Sequence, residues 1–369
     1  MPQDRHERVQ RWLAGQPAFG EGTRLESIEP MAGGQSSDLL RMTCTLPGRI
    51  APENFVIRRE PRSKQIFLQA DIRREYRVMD GLSAAGRVPV PTMLALESGS
   101  DVLDAPFLVM AEVNGEAPLG KPSNHVAGLL TRLSKETRAH LWGSAMEALV
   151  GIHASDWRTS HPFLAKELGS RSGLERHLDR LRRWYAWTTR GRPFAVTDVA
   201  LDYLETCRPD ADPEREVLLW GDARPGNMLF DPAGNVVAVL DFENALIGPA
   251  SLDVGYWVMM DRFHADMIDV ERLPGWPDEA ETIARYEAFS GRTVADLDYY
   301  IVLAAFFIAT TMIRATDLSI ESGRLSSAST MGHANTATQI IAHVLGSPIP
   351  ELSPDYVEIR QLRRRTVLG

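Results

Sequence analysis

Asp222, Arg224 and Asn227 fall within six residues of one another in the run Leu219-Trp220-Gly221-Asp222-Ala223-Arg224-Pro225-Gly226-Asn227. Asp241 follows nineteen positions after the first of them, in Val239-Leu240-Asp241-Phe242-Glu243. Moving a phosphoryl group from a nucleotide to a hydroxyl requires a carboxylate that orients the hydroxyl and accepts its proton. It also requires hard oxygen ligands for a Mg2+ ion bridging the phosphates. Asp222 has the chemistry for the first task, and Asn227 and Asp241 have it for the second. Glu243 either assists the metal or braces the turn, and a cation such as Arg224 would face the transferring group. A capped turn followed by a hairpin would explain any one of these residues, but not their joint order.

These groups converge only if short elements hold them on one edge. Val217 to Trp220, Met228 to Phe230 and Val236 to Leu240 read as strands, the last two joined by Asp231-Pro232-Ala233-Gly234-Asn235. A loop between strands then presents Asp222 and Asn227 together, and Asp241 leaves the neighbouring strand beside them. This β-like island sits among long amphipathic segments, Ala127 to His153, Leu174 to Thr189, Asp278 to Phe289, Val294 to Leu318 and Ser327 to Leu345. Upstream, Leu25 to Met31, Leu39 to Thr45, Asn54 to Arg58, Thr92 to Glu97 and Phe107 to Val113 read as five strands of one antiparallel sheet. They are interrupted by a helix over Gln65 to Ala85 that Gly86 stops. The segment from Val113 to Ser123, with Gly115, Pro118, Gly120 and Pro122, is the natural hinge between the halves. The expected organisation is an N-terminal helical extension over residues 1–23, a sheet-rich lobe over 24–113 and a helical lobe over 114–369. The fold class is α+β.

Composition narrows the partners. The chain has 369 residues, enough for roughly two domains or one two-lobed unit. Its net charge of −9 fits no general polyanion binder, so nucleic acid is not an expected partner. Cys44 and Cys207 form neither a disulfide framework nor a thiol metal site, and a reducing cytoplasm is the expected setting. The N-terminus lacks the apolar stretch of a secretory signal. Ile301 to Ile313, the longest apolar run, is shorter than the roughly 20 residues that cross a bilayer, and reads as a buried helix. Gly115 to Lys121 imitates a P-loop, but Pro122 stands where Ser or Thr must meet Mg2+. No Gly-x-Ser-x-Gly elbow, His-Glu-x-x-His pair or Gly-x-Gly-x-x-Gly fingerprint is present.

The pattern Asp-x-Arg-Pro-x-Asn followed by Leu-Asp-Phe-Glu resembles the catalytic loop and metal-binding turn of the aminoglycoside phosphotransferase and choline kinase-like family, a branch of the protein-kinase-like fold. Within it, the chain is most similar to the kinase-like domains related to those fused to certain acyl-CoA dehydrogenases, over about Arg24 to Leu345. The resemblance implies a bilobal fold, ATP and Mg2+, and further site residues. Gly33, Gly34, Gln35, Ser36 and Ser37 fall where a backbone-lined turn between the first two strands meets phosphate; taken alone they are a turn. Arg58 occupies the third-strand position where the family carries Lys, and keeps charge and donors with a different reach. Glu75 is the helix carboxylate expected to pair with it. Met110, Glu112 and Val113 resemble the strand and hinge whose backbone meets adenine. Asp253 matches an aspartate that holds the loop, and His153 a packed brace.

The acceptor belongs to the helical half. There Leu174, Leu178, Leu181 and Tyr185 form an apolar stripe beside Arg176, Arg180, Arg182, Arg183, Trp184 and Trp187. By resemblance this is an acceptor-binding insert; by periodicity alone it is a solvated amphipathic helix. The expected activity is ATP- and Mg2+-dependent phosphorylation of a small-molecule hydroxyl, such as that of a hydroxyacyl-CoA or related metabolite. The alternatives are an antibiotic O-phosphotransferase and a nucleotide-binding pseudokinase or scaffold. Arg58, and Trp220 where many relatives carry His, motivate the last of these.

Overall fold

The computed structural model describes residues 2–368 except 32–36, 62–64, 69–70, 119, 121–122 and 211. The phosphate-turn residues Gly33, Gly34, Gln35 and Ser36 therefore lie outside the described residues, as do Leu119, Lys121 and Pro122 of the P-loop imitation.

Helix α1 (Pro2–Ala14) precedes a sheet of β1 (Arg24–Pro30), β2 (Asp38–Thr45), β3 (Glu53–Arg59), β4 (Met93–Glu97) and β5 (Phe107–Ala111) in the order β1-β2-β3-β5-β4. Every neighbouring pair is antiparallel. Between β3 and β4 runs α2 (Ile72–Ala85). It begins at Ile72 rather than Gln65 because the Asp71 carboxylate accepts the backbone N–H groups of Arg73 and Arg74 and so fixes the helix start. It stops at Gly86, which takes the left-handed conformation with φ +65°. Alternation along the strands sends Met42, Ile57, Phe107 and Val109 to a core shared with Val9 and Leu13 of α1. Val56, Leu108 and Met110 face α2 and the helical lobe instead.

The helical lobe contains α3 (Leu129–Arg132), α4 (Lys135–His153), α5 (Trp157–Ser160), α6 (Pro162–Leu168), α7 (Gly173–Thr189), α8 (Ala195–Thr206), α9 (Ser251–His264), α10 (Glu279–Ser290), α11 (Leu297–Glu321), α12 (Thr336–Val344) and α13 (Pro354–Leu368). Set among them are the pairs β6 (Val217–Leu219) with β9 (Leu246–Gly248) and β7 (Met228–Phe230) with β8 (Val236–Val239). The single helix expected over Ala127 to His153 is broken at Leu133 and Ser134, where the Ser134 hydroxyl accepts the Thr137 N–H and starts α4 anew. Likewise Asn335 caps α12, so that helix begins nine residues later than the apolar pattern. The apolar run Ile301 to Ile313 lies inside the 25-residue α11, which is long and apolar enough to cross a bilayer, contrary to the shorter span expected from the run alone. Its apolar side chains are buried against α7, α8, α9 and α12. Each fully buried Leu, Ile or Phe contributes about 1.5–3 kcal/mol relative to exposure.

The lobes meet at a short strand-like bridge in which Glu116 and Phe230 exchange backbone hydrogen bonds of 3.0 Å each. Gly115 is required there, because a Cβ would come within 2.9 Å of both Leu229 and Val237. The chain leaving β5 is thereby fastened to the hairpin that carries Asn227.

Candidate active site

The loop between β6 and β7 is shaped by its own polar groups. The Asn227 side-chain Nδ2 donates to the Asp222 carbonyl at 3.1 Å, which leaves its Oδ1 free of that bond. Leu240 N–H donates to the Asn227 carbonyl at 2.9 Å, and Met228 pairs with Val239, so Asn227 and Asp241 lie at the same end of the β7–β8 hairpin. Asp241 takes the left-handed conformation with φ +64°, which turns its carboxylate out of the strand line. Trp220 is fully buried and its Nε1 donates to the Leu240 carbonyl at 2.8 Å. The indole therefore ties the loop to the turn that carries Asp241.

Helix α9 holds the loop from below. Asp253 is fully buried; its Oδ2 accepts the Trp220 N–H at 2.7 Å and its Oδ1 accepts the Gly221 N–H at 2.9 Å. His153 donates from Nε2 to the same Oδ2 at 3.1 Å, and its Nδ1 meets the Tyr286 hydroxyl at 2.8 Å. Gly221 has φ +85°, and an added Cβ would lie 2.3 Å from the Asn244 carbonyl oxygen, so the loop passes directly over the turn that follows Glu243. Asp253 and His153 are thus braces of the loop, as the sequence implies.

Asp222 receives Arg224 Nε at 3.1 Å. Burial opposes the Arg224 charge, but Asp222, Tyr256 and Asp241 hold the guanidinium protonated above its ordinary range. Arg224 pairs with Asp222 while also feeling the charge of Asp241, so the two carboxylates share one neighbourhood. Tyr256 of α9 was not singled out by sequence. Burial raises its phenol well above the ordinary range, and a side-chain hydrogen bond to Asp222 adds to the shift.

Across the cleft, Arg58 of β3 is 8% exposed and meets three carboxylates. Its Nε lies 3.0 Å from Glu75 Oε2, and its Nη2 donates to Asp241 Oδ1 at 2.9 Å and to Glu243 Oε2 at 2.7 Å. The planar fork of Arg makes this three-way contact possible. Burial works against the charge, yet the three carboxylates hold the guanidinium protonated well above its usual range. Burial pushes Glu75 up to about 7, against the pull of Arg58. One cation facing three carboxylates leaves room for a second cation. Among the described residues, no group of three His, Cys, Asp or Glu side chains is arranged to hold a metal ion by itself. The available donors, Asn227 Oδ1 and the Asp241 carboxylate, are hard oxygens, the kind that bind Mg2+ together with phosphate and water.

The other sequence-selected residues fall around this cleft. The Ser37 hydroxyl is buried without a hydrogen-bond partner among the described residues, and lines the same cavity as Arg58. Met110 is buried between its strand partners Val56 and Met93. The Glu112 carboxylate is held by Arg41, with Nε–Oε1 at 3.0 Å.

Beside Arg58 and Glu243 opens a cavity of about 730 Å3, walled by α2, α6, α7, β9 and α11. The apolar stripe of α7 is buried, whereas Arg180 faces the cavity. Arg180 makes no ion pair among the described residues; burial and nearby Arg74 lower it to about 10. Gly173 begins α7 because an added Cβ would sit 1.8 Å from the Ile247 carbonyl oxygen, which seats the helix directly on β9.

The profile of the phosphotransferase enzyme family matches residues 27–289. Acyl-CoA dehydrogenase family member 10 of Mus musculus is 28% identical over 260 residues, which are 69% of this chain and 22% of that protein. The chain thus spans about a fifth of the length of this curated relative. A solved structure of a putative aminoglycoside phosphotransferase from Ralstonia eutropha JMP134 superposes with a TM-score of 0.66 at 22% identity, covering 98% of both chains. A thermostable mutant of aminoglycoside phosphotransferase APH(4)-Ia, in ternary complex with ADP and hygromycin B, gives a TM-score of 0.56 at 16% identity over 93% of this chain and 99% of that one. These likenesses establish a two-lobed kinase-like fold with a five-stranded antiparallel sheet.

Proposed function

Because this chain belongs to the phosphotransferase enzyme family, we propose that it transfers the γ-phosphoryl group of ATP, with Mg2+, to a hydroxyl of a small molecule. The observation that carries this reading is the convergence of Asp222, Asn227 and Asp241 at one end of a hairpin, facing the Arg58–Glu75 pair. Asp222 orients the acceptor hydroxyl and takes its proton, with Arg224 and Tyr256 holding the carboxylate in place. Asn227 and Asp241 would hold Mg2+, and Glu243 would act beside them or through Arg58. Bound there, the ion would offset charge on the phosphates. Ser37 and Arg58 would meet phosphate oxygens, with Gly33, Gly34, Gln35 and Ser36 completing the turn. The backbone of Glu112 and Val113, with the Met110 side chain, would meet adenine.

For the acceptor we favour a metabolite such as a hydroxyacyl-CoA. The likeness to a mouse protein named for acyl-CoA dehydrogenases supports this, as does Arg180 on the cavity wall, which makes no ion pair among the described residues and disfavours a polycation. The antibiotic reading draws on the relative solved with hygromycin B. The scaffold reading draws on Arg58, which already engages Asp241 and Glu243. ADP release measured over hydroxylated acyl-CoAs, sugars and aminoglycosides separates them. Release driven by an acyl-CoA is expected, release with aminoglycosides alone would favour antibiotic modification, and nucleotide binding without release in any arm would favour a scaffold.

A further inference from the structure

The connection between β3 and α2 joins Arg58 to Glu75, and residues 65–68 within it reach the helical lobe. Trp184 Nε1 of α7 donates to the Ile66 carbonyl at 3.0 Å, and Arg314 Nε of α11 donates to the Gln65 carbonyl at 2.9 Å. Between these anchors the Phe67 ring lies 5.4 Å from Trp184 and 5.8 Å from Phe307, with an interplanar angle of 18° to the latter; Trp184 and Phe307 are 5.2 Å apart. All three rings line the cavity of about 730 Å3 that opens beside Glu243, a size suited to a small ligand. The Phe307 ring also lies 6.3 Å from that of Tyr256, whose phenol feels the Asp222 charge. Phe67 itself stays only half-buried. A residue serving solely to bind the lobes together would be expected to be sealed from the cavity, whereas Phe67 shows part of its surface to it.

We propose that Phe67, Trp184 and Phe307, packed against one another, form the aromatic wall of a slot within this cavity for the apolar part of the acceptor, and that the more exposed Phe67 is its specificity-determining residue. The sheet lobe then contributes to acceptor choice as well as to nucleotide binding, through a segment that begins and ends at the cleft. The proposal rests on the phosphotransferase reading only in calling the occupant an acceptor; the slot's preference for apolar groups is independent of it.

The test uses simple alcohols as probes. 1-Hexanol and 1-octanol are titrated into the full chain with Mg2+ and AMP-PNP present, and binding is followed by tryptophan fluorescence. Burial of two further methylenes should make octanol bind on the order of tenfold more tightly than hexanol. Trp184→Phe should remove most of the signal, Phe67→Ala should weaken octanol binding about tenfold, and Phe67→Leu should restore part of it, with AMP-PNP affinity preserved in each. Equal binding of the two alcohols, a signal that survives Trp184→Phe, or octanol affinity untouched in both Phe67 variants would overturn the slot. Loss of AMP-PNP binding by the unaltered chain would instead count against the phosphotransferase reading, while the alcohol series still judges the slot.

Discussion

Arg58 concentrates the electrostatics of the cleft in one side chain. Its guanidinium faces Glu75, which is 2% exposed, and two partly solvated carboxylates. Removing the cation leaves Glu75 buried without its partner, forced to take up a proton, and breaking such a buried pair costs on the order of 3–5 kcal/mol. Arg58→Ala is therefore expected to lower unfolding free energy by about that amount in urea titrations at pH 7, with Arg58→Lys falling between. A loss below about 1 kcal/mol would show that the pair is merely a surface contact. The Arg58–Glu75 pairing was legible in the sequence because each residue had a place in an ordered set of parts. Its extension to Asp241 and Glu243 was not, because only the folded hairpin brings residues some 180 positions away to the same guanidinium. Tyr256 escaped for a similar reason: it sits three residues after Asp253 in an apolar helix, and nothing local marks its hydroxyl as polar business rather than packing.

At the scale of elements, the loop that carries Asp222 depends on α9. Asp253 accepts two backbone N–H groups of the loop from a fully buried position. In Asp253→Asn only one oxygen remains to accept, and a buried donor loses its partner at a cost of about 1–3 kcal/mol. The expected outcome is a lower melting temperature together with a larger fall in kcat than in nucleotide affinity. Unchanged melting and turnover would remove Asp253 from the account. The five strands of the sheet, α7, and the β7–β8 hairpin were legible from alternation, spacing and turn residues. Helix α9 was not, since the first ten of its fourteen residues, Ser251 to Met260, are all buried and so carry no amphipathic period. The late starts of α2 and α12 trace to Asp71 and Asn335, whose side chains compete for backbone N–H groups that the apolar pattern assigns to a longer helix.

For the whole molecule, two lobes share a cleft, and the larger is organised around α11. In that lobe Asp261 of α9 is half-buried beside Trp276, whose Nε1 donates to its Oδ1 at 3.4 Å. Burial pushes its carboxyl up to about 7, against the pull of Arg272. Its folded value thus exceeds its ordinary value of 3.8, so the native state binds the proton more tightly than the unfolded chain. That contribution to stability is complete below pH 3.8 and is lost as pH rises through about 7. Asp261→Asn should accordingly melt higher than the unaltered chain at pH 8, with the gap closing toward pH 5; a gap of the opposite slope would contradict the burial. The claim on which the account rests concerns the cleft, and the most direct measurement compares nucleotide binding and ADP release for Asp222→Ala and Asp241→Ala, with and without Mg2+. The prediction is that Asp222→Ala keeps its affinity for Mg2+ and ATP but releases no ADP, whereas Asp241→Ala loses the Mg2+-dependent part of binding as well. Normal turnover in Asp222→Ala, or nucleotide binding indifferent to Mg2+ in the unaltered chain, would contradict it.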